Sequence, residues 1–535
     1  MASEHPPDSS IPPPPRNVRI QSGLILFAVA LTASFLMPDR ALELRMAAVA
    51  LLMATWWITE AVPLAATSLV PLAMLPLLGI LSGKDTATQY FNDTIVLYLG
   101  GFLLALAMER WDLHRRVALT IVGALGGSPQ RLVLGFLLAS GGISMWISNT
   151  ATAIMMVAIG LAVARQVEAQ FGEKAARPLA IGLLLAIAYG CSIGGFSTLV
   201  GTPPNLSLQR IYHLTFPDAA PIGFGQWMLF GVPASALMLT VAWIYLTKVG
   251  CRCPDHIRLP RELIANQYRA LGPMRHPEKV VLGCFALTAV LWVFRSDLNL
   301  GAVTLPGWST LLPLPTAADG KSLLDDGTVV ICTVLPLFLM RSRVPLPGAP
   351  LENAGPMPRL LDSSVIGRLP WDIVLLFGGG FALAKGFQVS GLSAWAGSAF
   401  TGLGSVSPWI VVLSVCLFMT FLTELTSNTA TTEMALPILA TAAVSAGLHP
   451  LVLMVPATLS ASCAFMLPVA TPPNAIVFGS GHIRIKDMVR AGLWMNLIGV
   501  LLLTVLFQLW GTRVFQISSD GNLPEAVRQI APAKH

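Results

Sequence analysis

Long apolar segments recur along almost the whole chain, and they restrict its possible folds more than any other feature of the sequence. A segment of roughly 20 apolar residues crosses a bilayer as a helix. Charged residues make up only 11% of the 535 residues, against about 25% in a typical soluble domain. The sequence therefore predicts an all-α polytopic membrane protein with about eleven spans, near residues 20–38, 46–60, 62–82, 93–110, 178–210, 223–247, 279–295, 327–341, 371–389, 450–480 and 491–512.

Two further apolar stretches, 128–165 and 406–445, are each interrupted near the middle by a polar cluster. Each stretch is too long for one span, and neither contains a charged loop that would separate two spans. Non-helical backbone at membrane depth is tolerated only where protein or an aqueous cavity surrounds it. We therefore expect two re-entrant hairpins, each of which enters and leaves the membrane on the same face.

The basic residues indicate how the spans are oriented. Cytoplasmic loops of membrane proteins are enriched in lysine and arginine, and a cytoplasmic N-terminus places most of the 33 basic residues on that side. The net charge of +6 then reflects topology, and no nucleic-acid partner is expected. This orientation predicts a periplasmic C-terminus. The short loops, with no long extramembrane domain among them, predict an integral protein of a bacterial inner membrane, in contact with membrane lipid.

An internal duplication is the second strong signal. The sequence SNTAT at 148–152 recurs at 427–431, and GGF at 100–102 recurs at 379–381, both at an offset of 279 residues. The sequence TPPN at 202–205 recurs later in the chain, at an offset of 269 residues. Three matched blocks in the same order indicate a true repeat, with one ten-residue gap.

The two copies are expected to be inverted. The first GGF segment runs into a basic stretch at 109–116, whereas the second runs into residues 390–405, which carry no charge. One copy therefore ends inside and the other outside. Inverted repeats are typical of secondary transporters, whose sites lie near the midplane where the repeats meet.

The expected organisation has five parts. A disordered arm (1–18) precedes the first span and first repeat (19–250). A basic loop (251–278) follows, and it is either an orientation determinant along the lipid headgroups or a regulatory site. The second repeat (279–512) and a C-terminal tail (513–535) complete the chain.

The paired SNT and TPPN motifs interrupt apolar segments. Serine, asparagine and threonine cap helix N-termini, so the motifs could merely end helices, and proline prevents a helix from continuing. Symmetric breaks at membrane depth favour a binding site instead, at which two hairpin tips and two broken helices converge.

The residue types at these breaks suggest the ligand. Helix N-termini and amide donors favour an anion, yet neither motif pair contains arginine, lysine or histidine. A dianion held by partial charges alone would be costly to bury. Carbonyl, hydroxyl and amide oxygens suit a hard cation, and we hypothesise that co-bound sodium ions supply the missing positive charge.

Together with WITEAVP at 57–63, the paired motifs resemble those of the divalent anion/sodium symporter family. The resemblance covers roughly residues 20–512. It implies an inverted-repeat bundle, a homodimer, an elevator-type mechanism and symport of C4-dicarboxylates such as succinate, malate and fumarate with Na⁺.

The resemblance also implies the site residues. The first sodium site would comprise Ser144, Ser148, Asn149 and the backbone of Gly201. The second would comprise Thr423, Asn428 and the backbone near Thr426 and Ala470. Substrate carboxylates would contact Asn149, Thr150, Asn428 and Thr429, in a pocket shaped by Thr202, Pro203, Thr471 and Pro472.

Two acidic residues in apolar surroundings have open roles. Glu60 is expected to open a helix and complement its dipole. Glu424 adjoins the second SNT motif and either helps to hold a cation or orients the hairpin tip.

Several alternatives to dicarboxylate symport remain. A sulfate or tricarboxylate symporter, or a dicarboxylate exchanger, would have the same architecture, and an anion channel is a different class. We find no H-E-x-x-H or G-x-S-x-G motif and no Cys–His arrangement on a span, so an intramembrane enzyme is not expected. No organic cofactor is expected either.

Overall fold

A computed structural model describes residues 15–125, 127–251, 262–299, 303–316, 322–347, 357–400, 402, 405–517 and 523–528. The described chain is overwhelmingly helical, with one two-stranded ribbon. The predicted all-α polytopic fold is therefore confirmed.

The N-terminal part contains two long helices followed by short ones. They are α1 (Arg16–Leu36), a 3₁₀ turn (Pro38–Arg40), α2 (Ala41–Thr59), α3 (Leu64–Thr67), α4 (Val70–Leu77) and α5 (Gly83–Thr88). Since α1 begins at Arg16, the last residues of the predicted arm 1–18 are helical, while residues 1–14 lie outside the described chain. Glu60 does not open a helix as predicted: it follows the last residue of α2 and has a φ of 48°, in the left-handed region.

The first repeat contains α6 (Asp93–Arg110), α7 (Leu113–Leu125), α8 (Pro129–Ser144), α9 (Asn149–Phe171), α10 (Glu173–Gly195), α11 (Pro203–Thr215) and α12 (Phe224–Ile244). The last of these helices continues into a π-helical turn, Tyr245–Gly250. Helices α8 and α9 form the first predicted hairpin.

The segment between α12 and Trp371, called the connection below, is partly helical, and its residues from 279 onward belong to the predicted second repeat. It contains α13 (Glu262–Ala270), α14 (His276–Val293), β1 (Leu298–Asn299), β2 (Thr304–Leu305), α15 (Trp308–Leu311) and α16 (Asp326–Leu339). The strands pair antiparallel. The predicted basic loop 251–278 is thus helical over much of its described length, and its residues 252–261 lie outside the described chain.

The second repeat matches the first from its glycine-rich helix onward. After a 3₁₀ turn (Ser363–Arg368) come α17 (Trp371–Ser390), α18 (Leu392–Ser398), α19 (Pro408–Thr423), α20 (Asn428–Ser445), α21 (Leu451–Ala461), α22 (Pro472–Gly479) and α23 (Ile485–Leu506). A π-turn (Phe507–Gly511), α24 (Thr512–Val514) and α25 (Glu525–Arg528) follow. Helices α19 and α20 form the second predicted hairpin.

Nine helices of the described chain are long and apolar enough to cross a membrane. One of them is α9, which has 23 residues and was expected to be one arm of a hairpin. The predicted span 450–480 is interrupted between Leu451–Ala461 and Pro472–Gly479, as its TPPN motif predicts. The predicted spans 62–82 and 327–341 instead contain helices of 14 residues or fewer, at Leu64–Leu77 and Asp326–Leu339. Each of these contains an internal proline, and proline removes a backbone hydrogen bond.

Burial separates the outer helices from the central ones. Helix α1 exposes large apolar side chains such as Ile25, Val29 and Phe35, which suits contact with lipid hydrocarbon. Helix α10 is almost wholly buried. The chain is an integral membrane protein whose interior is built around α10 and its neighbours.

The two repeats interlock. In each repeat the first hairpin helix packs on the helix that precedes the break, α8 on α10 and α19 on α21. The second hairpin helix packs on its own repeat and also on the other one, α9 on α22 and α20 on α11. This exchange brings both hairpin tips and both breaks into one region of the interior.

A buried ion pair joins the first repeat to the connection. The guanidinium of Arg116, on α7, lies 2.5 Å from Oε2 of Glu278, on α14, and it also donates to the Gly272 carbonyl at 3.0 Å. Both side chains are less than one tenth exposed. The pair fixes α7 and the segment after α13 against the first turn of α14.

We expect the Glu278→Ala substitution to destabilise the protein by about 3–5 kcal/mol, because it leaves a buried guanidinium without its carboxylate. Glu109 provides a matched control, since it pairs with Arg368 at 2.5 Å while both side chains are over a third exposed. Glu109→Ala should cost less than about 1 kcal/mol. Thermal unfolding in detergent measures the stability of both variants. Equal losses of stability would show that the Arg116–Glu278 pair contributes no more than an exposed ion pair.

Candidate functional site

Four helix N-termini point at the same cavity. They belong to α9 and α20, which follow the hairpin tips, and to α11 and α22, which follow the breaks. Each has a serine or threonine at its N-cap position: Ser148, Ser427, Thr202 and Thr471. Free N–H groups and the helix dipole give each N-terminus a partial positive charge, which attracts anions.

The cavity has a volume of about 720 Å³ and is lined by both SNT motifs and both TPPN motifs. Residues that are 269 or 279 positions apart in the chain therefore line one cavity, as the sequence predicts. Apolar and aromatic side chains complete the walls, namely Tyr98, Phe102, Val200, Ile373, Leu376, Leu425 and Val469. Sequence reasoning did not select these wall residues, because nothing in their local pattern separates them from residues that face lipid.

The first hairpin tip is held by oxygen-bearing groups. The Ser144 hydroxyl donates to Oδ1 of Asn149. A Cβ at Gly195 would come within 2.9 Å of that same Oδ1 and 3.2 Å of the Gly201 carbonyl oxygen. The hydroxyl, the amide oxygen and the carbonyl of the break thus cluster where only glycine leaves room.

The second hairpin tip repeats this arrangement. The Thr423 hydroxyl lies 2.6 Å from Oδ1 of Asn428 and 2.8 Å from the Ala461 carbonyl oxygen. A hydroxyl has one proton, so it can donate to only one of these two acceptors at a time. The cluster is therefore rich in oxygen lone pairs, an environment that suits a hard cation.

The structure places the predicted site residues together. Lining the cavity are Ser148, Asn149, Thr150, Gly201, Thr202, Pro203, Thr426, Asn428, Thr429, Ala470, Thr471 and Pro472. Ser144 and Thr423 are buried behind it, each in hydrogen-bond contact with the asparagine of its own tip. Their division into sodium and carboxylate ligands stays a prediction.

The asparagines of the TPPN motifs have a role that the sequence did not reveal. Nδ2 of Asn205 donates to the Thr198 carbonyl at 2.6 Å and lies 3.5 Å from the Gly195 carbonyl oxygen. Nδ2 of Asn474 donates to the Leu467 and Ala464 carbonyls, each at 3.0 Å. The acceptors correspond at the same offset of 269, so each asparagine holds the break in its own repeat. The recurrence of TPPN was the only sequence signal for this pair.

Glu424 orients the second break. Its Oε1 accepts from the backbone N–H groups of Phe465 and Met466 at 2.8 and 2.9 Å, and its Oε2 accepts from Leu467 at 2.9 Å. Oε1 also accepts from Nδ2 of Asn496 at 2.7 Å. Of the two roles considered for Glu424, these contacts favour the orienting one.

Charged side chains also line the cavity. The lining described there includes one cation, Arg19, whose Nη1 donates to the Thr59 carbonyl at 2.6 Å, and two acids, Glu60 and Asp372. Asp93 is the counterpart of Asp372 in the first repeat, and there it pairs with Arg210 at 3.1 Å. Asp93 and Asp372 therefore have different surroundings although the repeats correspond.

The comparisons with known proteins agree with this geometry. A family model described as sodium:sulfate symporter transmembrane region matches residues 19–517. The sodium-dependent dicarboxylate transporter SdcS of Staphylococcus saprophyticus is 43% identical over 501 residues, covering 91% of both chains. The SdcS of Staphylococcus aureus strain USA300 is 44% identical over 462 residues, covering 85% of this chain and 84% of that one.

Two solved structures share the fold. The YdaH transporter of Alcanivorax borkumensis superposes with a TM-score of 0.54 at 14% identity, over 81% of this chain and 88% of that chain. MtrF of Neisseria gonorrhoeae, described among antimetabolite efflux pumps, superposes with a TM-score of 0.55 at 11% identity, over 92% and 94%. At these identities the likeness concerns the fold alone.

Proposed function

Because the chain belongs to the sodium:sulfate symporter family, we propose that it is a secondary active transporter for sodium-coupled symport of C4-dicarboxylates. The dicarboxylate transporters that resemble it along most of its length support this substrate class. The observation that carries the proposal is the pair of matched polar hairpin tips on one cavity.

In this proposal the substrate and the ions neutralise one another. The carboxylates bind at the N-termini of α9 and α20, where Asn149, Thr150, Asn428 and Thr429 offer amide and hydroxyl donors. Sodium ions bind at the oxygen clusters around Ser144 and Thr423. Since the dianion and the cations stabilise each other in a low-dielectric interior, neither binds well alone, and transport is coupled.

We further propose an elevator-type alternation, which the unequal packing of the two glycine-rich helices, α6 and α17, supports. Helix α17 packs along both α20 and α11, whereas its counterpart α6 packs chiefly on α16. Two equivalent repeats in unequal packing can exchange their arrangements, and this exchange would move the hairpins relative to α6 and α17. The homodimer, the inner-membrane location and the cytoplasmic N-terminus stay predictions.

Uptake into proteoliposomes tests the coupling. With an inward sodium gradient, labelled succinate should accumulate, and replacing sodium by choline should reduce the initial rate at least about tenfold. The physical reason is that removing the cations leaves the dianion uncompensated. Unchanged uptake in choline would defeat the sodium-coupled proposal, and uptake that needs only internal dicarboxylate would indicate an exchanger.

Sulfate is the second candidate substrate, since the matching family model is named for it. Competition by unlabelled succinate, malate, fumarate, citrate and sulfate separates the candidates. We expect the three C4-dicarboxylates to compete most strongly, because two carboxylates at opposite ends of a short chain can reach both hairpin tips. Stronger competition by sulfate or citrate would reassign the substrate.

A further inference from the structure

A second cavity, of about 420 Å³, lies between three helices and shares no lining residue with the first. It is formed at the start of α10, at the π-turn that ends α12 and at the start of α23. Its lining comprises Arg177, Pro178, Ile181, Leu185, Tyr245, Val249, Gly250, Cys251, Asp487, Arg490, Ala491, Trp494 and Ile498.

Local backbone features explain why a space exists there. The residues Tyr245–Gly250 form a π-helical turn, which is wider than an α-turn and is frequent at functional sites. Pro178 lies inside α10, where it removes one backbone hydrogen bond. The two irregular turns face each other across the cavity, so close helix packing is interrupted at this level.

The cavity offers two guanidinium groups. Arg177 is about a third exposed and is only loosely paired with Asp487, at 3.4 Å. Arg490 is exposed and makes no hydrogen bond or ion pair within the described chain. Arginine is suited to phosphate because its planar N–H groups match two phosphate oxygens at once. With a single carboxylate opposite two guanidiniums, the cavity carries a net positive charge.

The rest of the cavity continues onto a lipid-facing surface. Its apolar walls include Ile181, Leu185 and Ile498, and at its edge Val249 is 60% exposed and Trp494 is 54% exposed. Leu501, two turns further along α23, is also exposed. Exposed tryptophan is typical of the membrane interface, and apolar walls beside arginines suit acyl chains below a headgroup.

We propose that this cavity binds an anionic phospholipid. The phosphate lies between Arg177 and Arg490, and the acyl chains follow the surface past Trp494. Lys248, next to Val249 in the chain, and Lys486, next to Asp487, are among the basic residues predicted to face the cytoplasm, so the lipid belongs to that leaflet. Basic pockets between transmembrane helices bind anionic headgroups in this way.

The test is lipid binding by the purified, delipidated full-length protein in detergent, followed by native mass spectrometry. The wild type should retain phosphatidylglycerol at least about tenfold more tightly than phosphatidylcholine. The double variant Arg177→Gln/Arg490→Gln should bind phosphatidylglycerol about thirtyfold more weakly than the wild type, from the typical contribution of two basic groups. Arg177→Lys/Arg490→Lys keeps the charge and should recover part of the affinity.

Arg484→Gln is the matched control, because Arg484 is an exposed arginine of the same surface that does not line the cavity. It should bind the lipid as the wild type does. Thermal unfolding of each variant in detergent reports whether the fold is intact. Equal binding of the two lipids, or unchanged binding by the double glutamine variant, would overturn the proposal. So would binding of inorganic phosphate or glycerol 3-phosphate that displaces the lipid, since the ligand would then be a soluble anion.

Discussion

Alanine at Asn149 or at Asn428 is expected to reduce sodium-dependent dicarboxylate uptake by about a hundredfold or more. Each side chain offers an oxygen to the proposed sodium cluster and an N–H donor to the proposed carboxylate. Both asparagines are half-buried, and loss of both interactions at such a position costs about 3 kcal/mol, which corresponds to a factor of about 100. Initial rates of succinate uptake into proteoliposomes measure the effect.

Because the two hairpin tips correspond, the two variants should behave alike. Asn149 and Asn428 are matched at an offset of 279, and each accepts from the hydroxyl five residues before it. Both substitutions should therefore impair uptake and raise the sodium concentration needed for half-maximal rate. Asn266→Ala is the control, because Asn266 lies exposed on α13, and its uptake should match the wild type. Near-normal uptake in either tip variant would show that the tips do not share one site.

Glu424→Ala is expected to destabilise the protein by about 4 kcal/mol or more and to abolish transport. The substitution leaves the backbone N–H groups of Phe465, Met466 and Leu467, and the Asn496 amide, without their acceptor. Each buried donor left unpaired costs about 1–3 kcal/mol. Glu424→Gln should lose less stability, because its remaining oxygen still accepts hydrogen bonds. Its new NH₂ group, however, faces backbone N–H donors and cannot accept from them.

Thermal unfolding in detergent and proteoliposome uptake measure both Glu424 variants. Glu173→Ala is the control, because Glu173 is an exposed glutamate in the first turn of α10, and it should cost no more than about 1 kcal/mol. An alanine variant that unfolds at the wild-type temperature would show that Glu424 does not hold the break. A stable variant that loses only its sodium dependence would instead favour the alternative role as a cation ligand.

The candidate site was largely predictable because its signals are local and occur twice. Ser148 and Thr471 mark helix starts through capping hydrogen bonds, and the prolines after Thr202 and Thr471 mark breaks. Recurrence at matched offsets then indicated that the breaks belong together. The apolar lengths likewise predicted most of the long helices, although the segments that contain Pro76 and Pro336 form shorter helices than predicted.

The tertiary structure decided which distant residues complete these local features. Asn496 lies 72 residues from Glu424, and Glu278 lies 162 residues from Arg116, yet each pair is in hydrogen-bond contact. The packing of α9 on α22 and of α20 on α11 depends on how the repeats interlock. Capping, proline breaks and span length act within a few turns of chain and can be derived from sequence alone. Partners for buried polar groups are set by the path of the chain through space, which no local pattern specifies.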